Sequence, residues 1–279
     1  MTADEKAPVV LVTRPREGVV AATLNRPHRA NALTEEVFEE LGALCAVLAA
    51  DPSARVLVLK GAGETFCSGY DVAEVGRVAA LPPLELTALL ERQAEVIAAL
   101  RELPQTVVAA VDGVAAGAGL SLALAADVRV LTARARLRAA FVRMGLSGGD
   151  MGASWLLPRI AGFGFASEML LTGRFVTAEE ALQRGLAGRV CAIQDLLPVV
   201  MESAGQIAGN SPVSLRLTKQ VLQSNIDAPS LRAALEREIP VQVMAAKSPD
   251  VHEAVAAFRE RRSPHFGTGD RAGTKEEQP

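Results

Sequence analysis

The stretch Val107 to Asp127, VVAAVDGVAAGAGLSLALAAD, decides the fold. Val107 to Val111 is a short apolar run of the kind that forms a buried strand. It meets a turn signal at Asp112-Gly113, then Gly117 and Gly119, then an apolar run from Ser121 to Ala126 that reads as helix. A strand feeding a glycine-rich turn and then a helix aims free backbone N–H groups at whatever sits above the turn. Such groups can hold a developing oxyanion. Taken alone, the glycines are explained as well by tight strand-to-helix packing.

Working outward, Val9 to Val12 and Val19 to Leu24 read as a hairpin across Pro15 to Gly18. Asn25-Arg26-Pro27 ends the second strand, since proline cannot donate to a ladder. Thr34 reads as the N-cap of a helix with Val37, Leu41, Leu44, Val47 and Leu48 on its apolar face. Arg55 to Lys60 is a buried strand, Gly61 to Asp71 a loop, and Pro83 to Leu103 a helix striped by Leu86, Leu89, Leu90, Val96, Ile97 and Leu100. Val128 to Leu131 is another strand, and Thr177 with Glu180 forms a capping box. From about Asp195 through Arg262 the pattern is nearly all helix, and the polar tail from Gly267 to Pro279 reads as disordered. The fold class is α/β with a helical C-terminal region. The pattern alone leaves the topology open.

Bulk properties narrow the function. The chain has 279 residues, 49% hydrophobic and 22% charged, with a net charge of −3. That balance offers no basic surface for nucleic acid, and 4% aromatic residues leave little for base stacking. No apolar run is long enough for a membrane span. The segment MTADEKAPVV lacks the apolar core of a secretory signal, so a cytoplasmic protein is expected. Cys45, Cys67 and Cys191 are far apart and read as free thiols. His28, His252 and His265 have no metal-ligand spacing, so no metal is expected.

Five segments together resemble the crotonase (enoyl-CoA hydratase/isomerase) superfamily. They are ATLNRPHRANALT (Ala22 to Thr34), ETFCSGYDV (Glu64 to Val72), VAAVDGVAAGAGLSLALAADVRV (Val108 to Val130), MGLSGGDMGASWLLPRIAG (Met144 to Gly162) and LLTGRFVTAEEALQRGLAGRV (Leu170 to Val190). Their order and spacing fit over roughly residues 8 to 266. The resemblance implies a spiral of ββα units over residues 1–195 with an acyl-CoA site, a helical trimerisation region over 196–266, and a tail from 267. It implies a homotrimer or dimer of trimers, an acyl-CoA thioester substrate of fatty acid metabolism, and no cofactor beyond the coenzyme A of the substrate. It also places two oxyanion donors, the backbone N–H groups of Tyr70 and Ala118. Arg26, Ala30 and the Ala32-Leu33 segment would lie along the coenzyme A, with Cys67, Ser68 and Gly69 in the loop around it. Lys247, Arg259, Arg261 and Arg262 are further candidates for a phosphate, while Phe258 and Phe266 are better read as core than as site residues.

The chain departs from the family pattern where hydratases carry two glutamates. Ser121 and Phe141 stand there, and neither can exchange a proton as a carboxylate does. Ser121 could orient a water but fits better as packing, and Phe141 would shape the acyl pocket or fill core. One acid remains nearby, Asp150. In dienoyl-CoA isomerases of the superfamily a comparable Asp shuttles protons. In its chlorobenzoyl-CoA dehalogenases the matching Asp is a nucleophile, but the helix His used there has no counterpart, since no His occurs between His28 and His252. Asp150 is equally well placed to be a helix N-cap, a role worth about 1 kcal/mol. Asp71 reads as structural. Two functions follow: an enolate-forming acyl-CoA enzyme using Tyr70, Ala118 and Asp150, with isomerisation favoured over hydration, or an acyl-CoA-binding homologue that has lost catalysis. A decarboxylase-like or C–C-hydrolase activity, in which the oxyanion hole does most of the chemistry, is a weaker third.

Overall fold

The computed structural model describes residues 7–267; most of the tail read as disordered lies outside them. The chain divides into two compact units between Ala204 and Gly205. That division falls inside a helix, slightly later than the sequence pattern places it.

The first unit runs β1 (Val10–Arg16), β2 (Val19–Leu24), α1 (Glu35–Ala49), β3 (Val56–Gly61), α2 (Val72–Ala79), α3 (Pro83–Glu102), β4 (Thr106–Val111), β5 (Val114–Ala116), α4 (Ala118–Ala125), β6 (Val128–Thr132), β7 (Arg136–Arg138), α5 (Ala153–Ala161), α6 (Phe163–Thr172), β8 (Phe175–Thr177), α7 (Ala178–Gln183) and β9 (Arg189–Cys191). Helix α8 (Leu196–Ala208) follows, and α9 (Pro212–Asn225), α10 (Leu231–Ala246) and α11 (Pro249–Glu260) belong to the second unit.

One sheet has the order β1-β2-β3-β4-β6-β9, and a second has β5-β7-β8. Only the β1–β2 pair of the larger sheet is antiparallel. The chain steps between the sheets: β4 lies in the first, β5 in the second, α4 follows, β6 returns to the first and β7 to the second. This repeated ββα step is the crotonase-like spiral that the resemblance implies. Parallel strands must be covered on both faces, and β2 and β4 accordingly read as near-continuous buried runs. Helix α4 is buried on all sides, which is why its sequence shows no polar face.

Four local expectations change. Strand β1 continues through Pro15 to Arg16, with a register shift between Thr13 and Arg16, so the turn is only Glu17-Gly18. Pro15 is tolerated because β1 is an edge strand. Helix α2, absent from the sequence reading, buries none of its residues and so carries no core stripe. Val47, placed on the apolar face of α1, is exposed, whereas Phe38 and Cys45 are buried there. In the second unit, α10 leaves Leu235, Ile239, Val243 and Met244 exposed, and Phe258 on α11 is exposed rather than core.

Candidate active site

Two glycine turns meet beside α4. An isolated parallel bridge pairs Leu33 with Tyr70, made by Leu33 N–H donating to the Gly69 carbonyl and Asp71 N–H donating to the Leu33 carbonyl. Both bonds use the residues flanking Tyr70, so the Tyr70 N–H points away from the bridge. A second bridge joins Cys67 to Ala115, with Ala116 N–H donating to the Cys67 carbonyl. Gly117 N–H donates to the Arg138 carbonyl, which leaves Ala118 as the first residue of α4. The first N–H groups of a helix have no partner within it, and neither Tyr70 N–H nor Ala118 N–H enters the backbone bonds around the turns.

Each of these two residues follows a glycine in a conformation that side chains resist. Gly69 has φ 99° and Gly117 has φ 53°, ψ −126°. A Cβ on Gly69 would lie 2.8 Å from the Ala116 carbonyl oxygen and 3.6 Å from the Ala118 nitrogen. The two turns therefore touch, with their N–H-bearing residues side by side. Ala118 has no positive φ, so alanine holds this position without strain. Gly119 is small for a different reason: a Cβ there would lie 2.4 Å from the Cys67 carbonyl oxygen.

The loop from Arg26 to Asp71 is fixed by buried polar bonds. Asn31 is almost fully buried, with left-handed φ 52°. Its amide donates to the carbonyls of Ala62 (2.9 Å) and Thr65 (2.6 Å), and its oxygen accepts from Arg26 N–H (2.9 Å). Ala30 is also left-handed, and its carbonyl accepts from Ser68 N–H at 3.0 Å. Arg26 turns inward: its guanidinium donates to the Ala32 carbonyl at 2.5 Å and to the Asp71 carboxylate at 2.9 Å. It is thus neither a solvated charge nor a free phosphate ligand here. Asp71 caps α2 by accepting from Ala73 N–H at 3.1 Å. Burial would raise its pKa, but Arg26, the Ala73 N–H and the charge of Arg29 together hold it below the usual carboxylate range. The Cys67 thiol, fully buried, is pushed up to about 12 and is inert as a nucleophile.

Beside the first turn, at Tyr70 and Asp71, lies a cavity of about 400 Å³; Gly117 and Ala118 are not among the residues that line it. Leu33, Val78, Leu86, Leu90 and Leu146 make it apolar, and Tyr70, Gln93 and Asp150 give it polar points. Leu86 and Leu90, expected in the core stripe of α3, face this cavity instead. Glu74 of α2 also lines it, and was hidden with that helix; it is 3.8 Å from the Arg77 guanidinium.

Asp150 does not cap the following helix. Helix α5 begins at Ala153, its N-cap is Gly152, and no side chain bonds there. Met151 (φ 50°) and Gly152 (φ 74°) are both left-handed, and the Met151 side chain is buried in the core. A non-glycine residue in that region costs about 1–2 kcal/mol, and Asp150, just before it, lines the cavity. Burial raises the Asp150 pKa, an effect only partly offset by interaction with the Tyr70 hydroxyl and the Met151 N–H. The Tyr70 hydroxyl is buried and makes no hydrogen bond of ordinary geometry. Its pKa is nonetheless raised, first by burial and then by the charge of Asp150, and both residues line the same cavity. The Tyr70 ring leans on Phe38, with centroids 6.0 Å apart.

Ser121 is wholly buried within α4, and its hydroxyl has no hydrogen-bond partner among the described residues. Phe141 is buried in the core cluster, with its ring 4.0 Å from where a Gly117 side chain would begin. Neither is among the residues that line the cavity. In the second unit, Arg262 pairs with Glu253 at 2.5 Å and with Glu260 at 2.6 Å. Among the described residues no cluster of His, Cys, Asp and Glu could hold a metal, and no helix is long and apolar enough to cross a membrane.

Comparison with known proteins agrees with this architecture. Residues 14–269 match the enoyl-CoA hydratase/isomerase family. A probable enoyl-CoA hydratase of Mycobacterium bovis is 42% identical over 266 residues, covering 92% of both chains. The 1,2-epoxyphenylacetyl-CoA isomerase of Escherichia coli is 34% identical, covering 92% of this chain and 97% of its own. Among solved structures, an enoyl-CoA hydratase of Mycobacterium smegmatis superposes with a TM-score of 0.86 at 33% identity, covering 94% of this chain and all of that one. The fold, the paired turns and these likenesses lead to one assignment: the chain belongs to the enoyl-CoA hydratase/isomerase family of the crotonase superfamily.

Proposed function

We propose that this acyl-CoA enzyme shifts a double bond along an enoyl-CoA chain, through a thioester enolate, with Asp150 carrying the proton. The observation that carries this reading is the position of Asp150: a carboxylate in a largely apolar cavity that Tyr70 also lines, with burial holding its proton affinity high. A base for carbon acids works best when its pKa approaches the working pH.

The thioester oxygen would accept from the N–H groups of Tyr70 and Ala118. Each well-placed donor lowers an enolate by roughly 3–4 kcal/mol. The Asp150 carboxylate takes a proton from C2 of a 3-enoyl thioester, and the electrons delocalise onto the oxygen. The same group then returns the proton at C4, leaving the double bond between C2 and C3. No water is consumed, which suits a site where Ser121 and Phe141 occupy the positions of the hydratase glutamates. Arg26 would act indirectly, by fixing the Asp71 loop that carries Tyr70, while the backbone of Ala30, Ala32, Ser68 and Gly69 borders the coenzyme A arm. The exposed stripe of α10 supports self-association as a trimer.

A second reading, an acyl-CoA-binding homologue without catalysis, is favoured by the same two replacements. Incubation with trans-3-hexenoyl-CoA and crotonyl-CoA separates the two. Conversion of the first to its 2-enoyl isomer, lost in Asp150→Asn with binding retained, is the expected result. Binding without turnover of either substrate would establish the second reading. Turnover that survives Asp150→Asn would remove Asp150 from the chemistry.

A further inference from the structure

Helix α3 presents Leu86, Leu90 and Gln93 to the cavity along one face, about one turn apart. Two of the three are what an acyl pocket needs. The third is an amide, 6% exposed, on a cavity that Leu33, Val75 and Val78 also line. Its Oε1 has no hydrogen-bond partner among the described residues. Burying an amide oxygen unpaired opposes folding, and a leucine or methionine of similar size would avoid the cost. The Tyr70 hydroxyl, also on this cavity, has the Asp150 carboxylate beside it. Plain hydrocarbon would leave the Gln93 oxygen unmatched.

We propose that the acyl group bound here carries an oxygen function along its chain, a hydroxyl or a carbonyl in addition to the thioester, and that Gln93 recognises it. This rests on the acyl-CoA reading of the cavity. A chain hydroxyl would donate to the Gln93 oxygen; a chain carbonyl would accept from the amide in its flipped orientation. A site built to hydrogen-bond a substrate oxygen rejects the analogue lacking it far more strongly than a greasy pocket rejects a missing methylene.

The test is a set of dissociation constants for octanoyl-CoA and its hydroxy- and keto-octanoyl counterparts, substituted in turn along the chain. At least one oxygenated chain should bind about tenfold or more tightly than octanoyl-CoA; whether it is a hydroxy or a keto chain tells which form the site takes. Gln93→Leu and Gln93→Met should bring that ratio to within about twofold, weakening the oxygenated ligand and strengthening the plain one. A melting temperature at or above that of the parent shows that each variant is folded, as removal of an unpaired buried acceptor predicts. Octanoyl-CoA binding as well as every oxygenated chain would overturn the inference, and so would a preference that persists in both variants. Failure to bind any of these thioesters would instead overturn the acyl-CoA reading beneath it.

Discussion

Asp71 and Asp150 line the same cavity and live under opposite electrostatics. Asp71 has a guanidinium at 2.9 Å, a helix N-terminus to cap and a proton affinity held low. Asp150 faces a phenol, follows two glycines and precedes two left-handed residues, and its proton affinity is raised by burial. A carboxylate that its surroundings neutralise serves the fold. One that its surroundings destabilise as an anion is suited to proton transfer. On the function proposed above, the pair separates structural acid from reactive acid within one pocket, and the substitutions below test that division.

The largest effect is expected from Asp150→Asn. General acid–base catalysis contributes roughly 100- to 10,000-fold, and a loss of that size in turnover of trans-3-hexenoyl-CoA, with its dissociation constant little changed, is the expected outcome. A loss of less than about tenfold would erase the distinction between the two acids. Next is Ala118→Pro, which deletes one backbone donor. Proline is tolerated at the first position of a helix, and Gly117 precedes it with ψ −126°, the mirror image of the extended geometry that proline asks of its neighbour. Steady-state kinetics should show a fall in kcat of roughly 100- to 1,000-fold. Unchanged kcat in a folded variant would remove Ala118 from oxyanion binding.

How much of this could be read from the chain differs between the two acids. The CSGYD and GAG runs located both turns, because their glycines are themselves the sequence signal; the donor role of Tyr70 and Ala118 came only from the family resemblance. Asp71 was legible as structural for the same reason, lying in a tight loop. Its partner Arg26 was not, since an arginine in a loop looks the same whether it meets phosphate or an internal carboxylate 45 residues away. Asp150 read equally as cap or acid. The left-handed Met151 that settles against the cap has no sequence signature, because methionine rarely adopts that backbone. Asn31 could have been found: asparagine tolerates left-handed backbone and carries both donor and acceptor. Gln93 and Glu74 needed the cavity itself, as one interrupts an apolar stripe and the other sits on a helix with no buried face.

The stability of the two acids gives the next contrast. Asp71→Ala removes a helix cap and strands Arg26, whose side chain is only 16% exposed. Denaturant unfolding should register a loss of about 2–4 kcal/mol, whereas a loss below about 0.5 kcal/mol would mean the clamp is dispensable. Its folded pKa is lowered, so the stabilisation is present above the unfolded pKa of a carboxylate and fades as pH falls through the folded value. The gap between parent and Asp71→Ala should therefore be full at neutral pH and narrow only in acid.

For Asp150 the sign reverses, and the effect is the smallest of the set. Its folded pKa is raised, so its protonated form favours folding: that contribution is full below the unfolded pKa and is lost as pH rises through the folded one. At neutral pH the anion is held in place against its solvation, and Asp150→Asn, which keeps the shape and cannot ionise, should melt at or slightly above the parent temperature. On acidification the two curves should converge as the parent carboxylate takes up its proton. Isomerase activity, which needs the anion as base, should fall over that same acid range. A variant that melts clearly below the parent at neutral pH would make Asp150 a second structural acid, and the contrast with Asp71 would collapse.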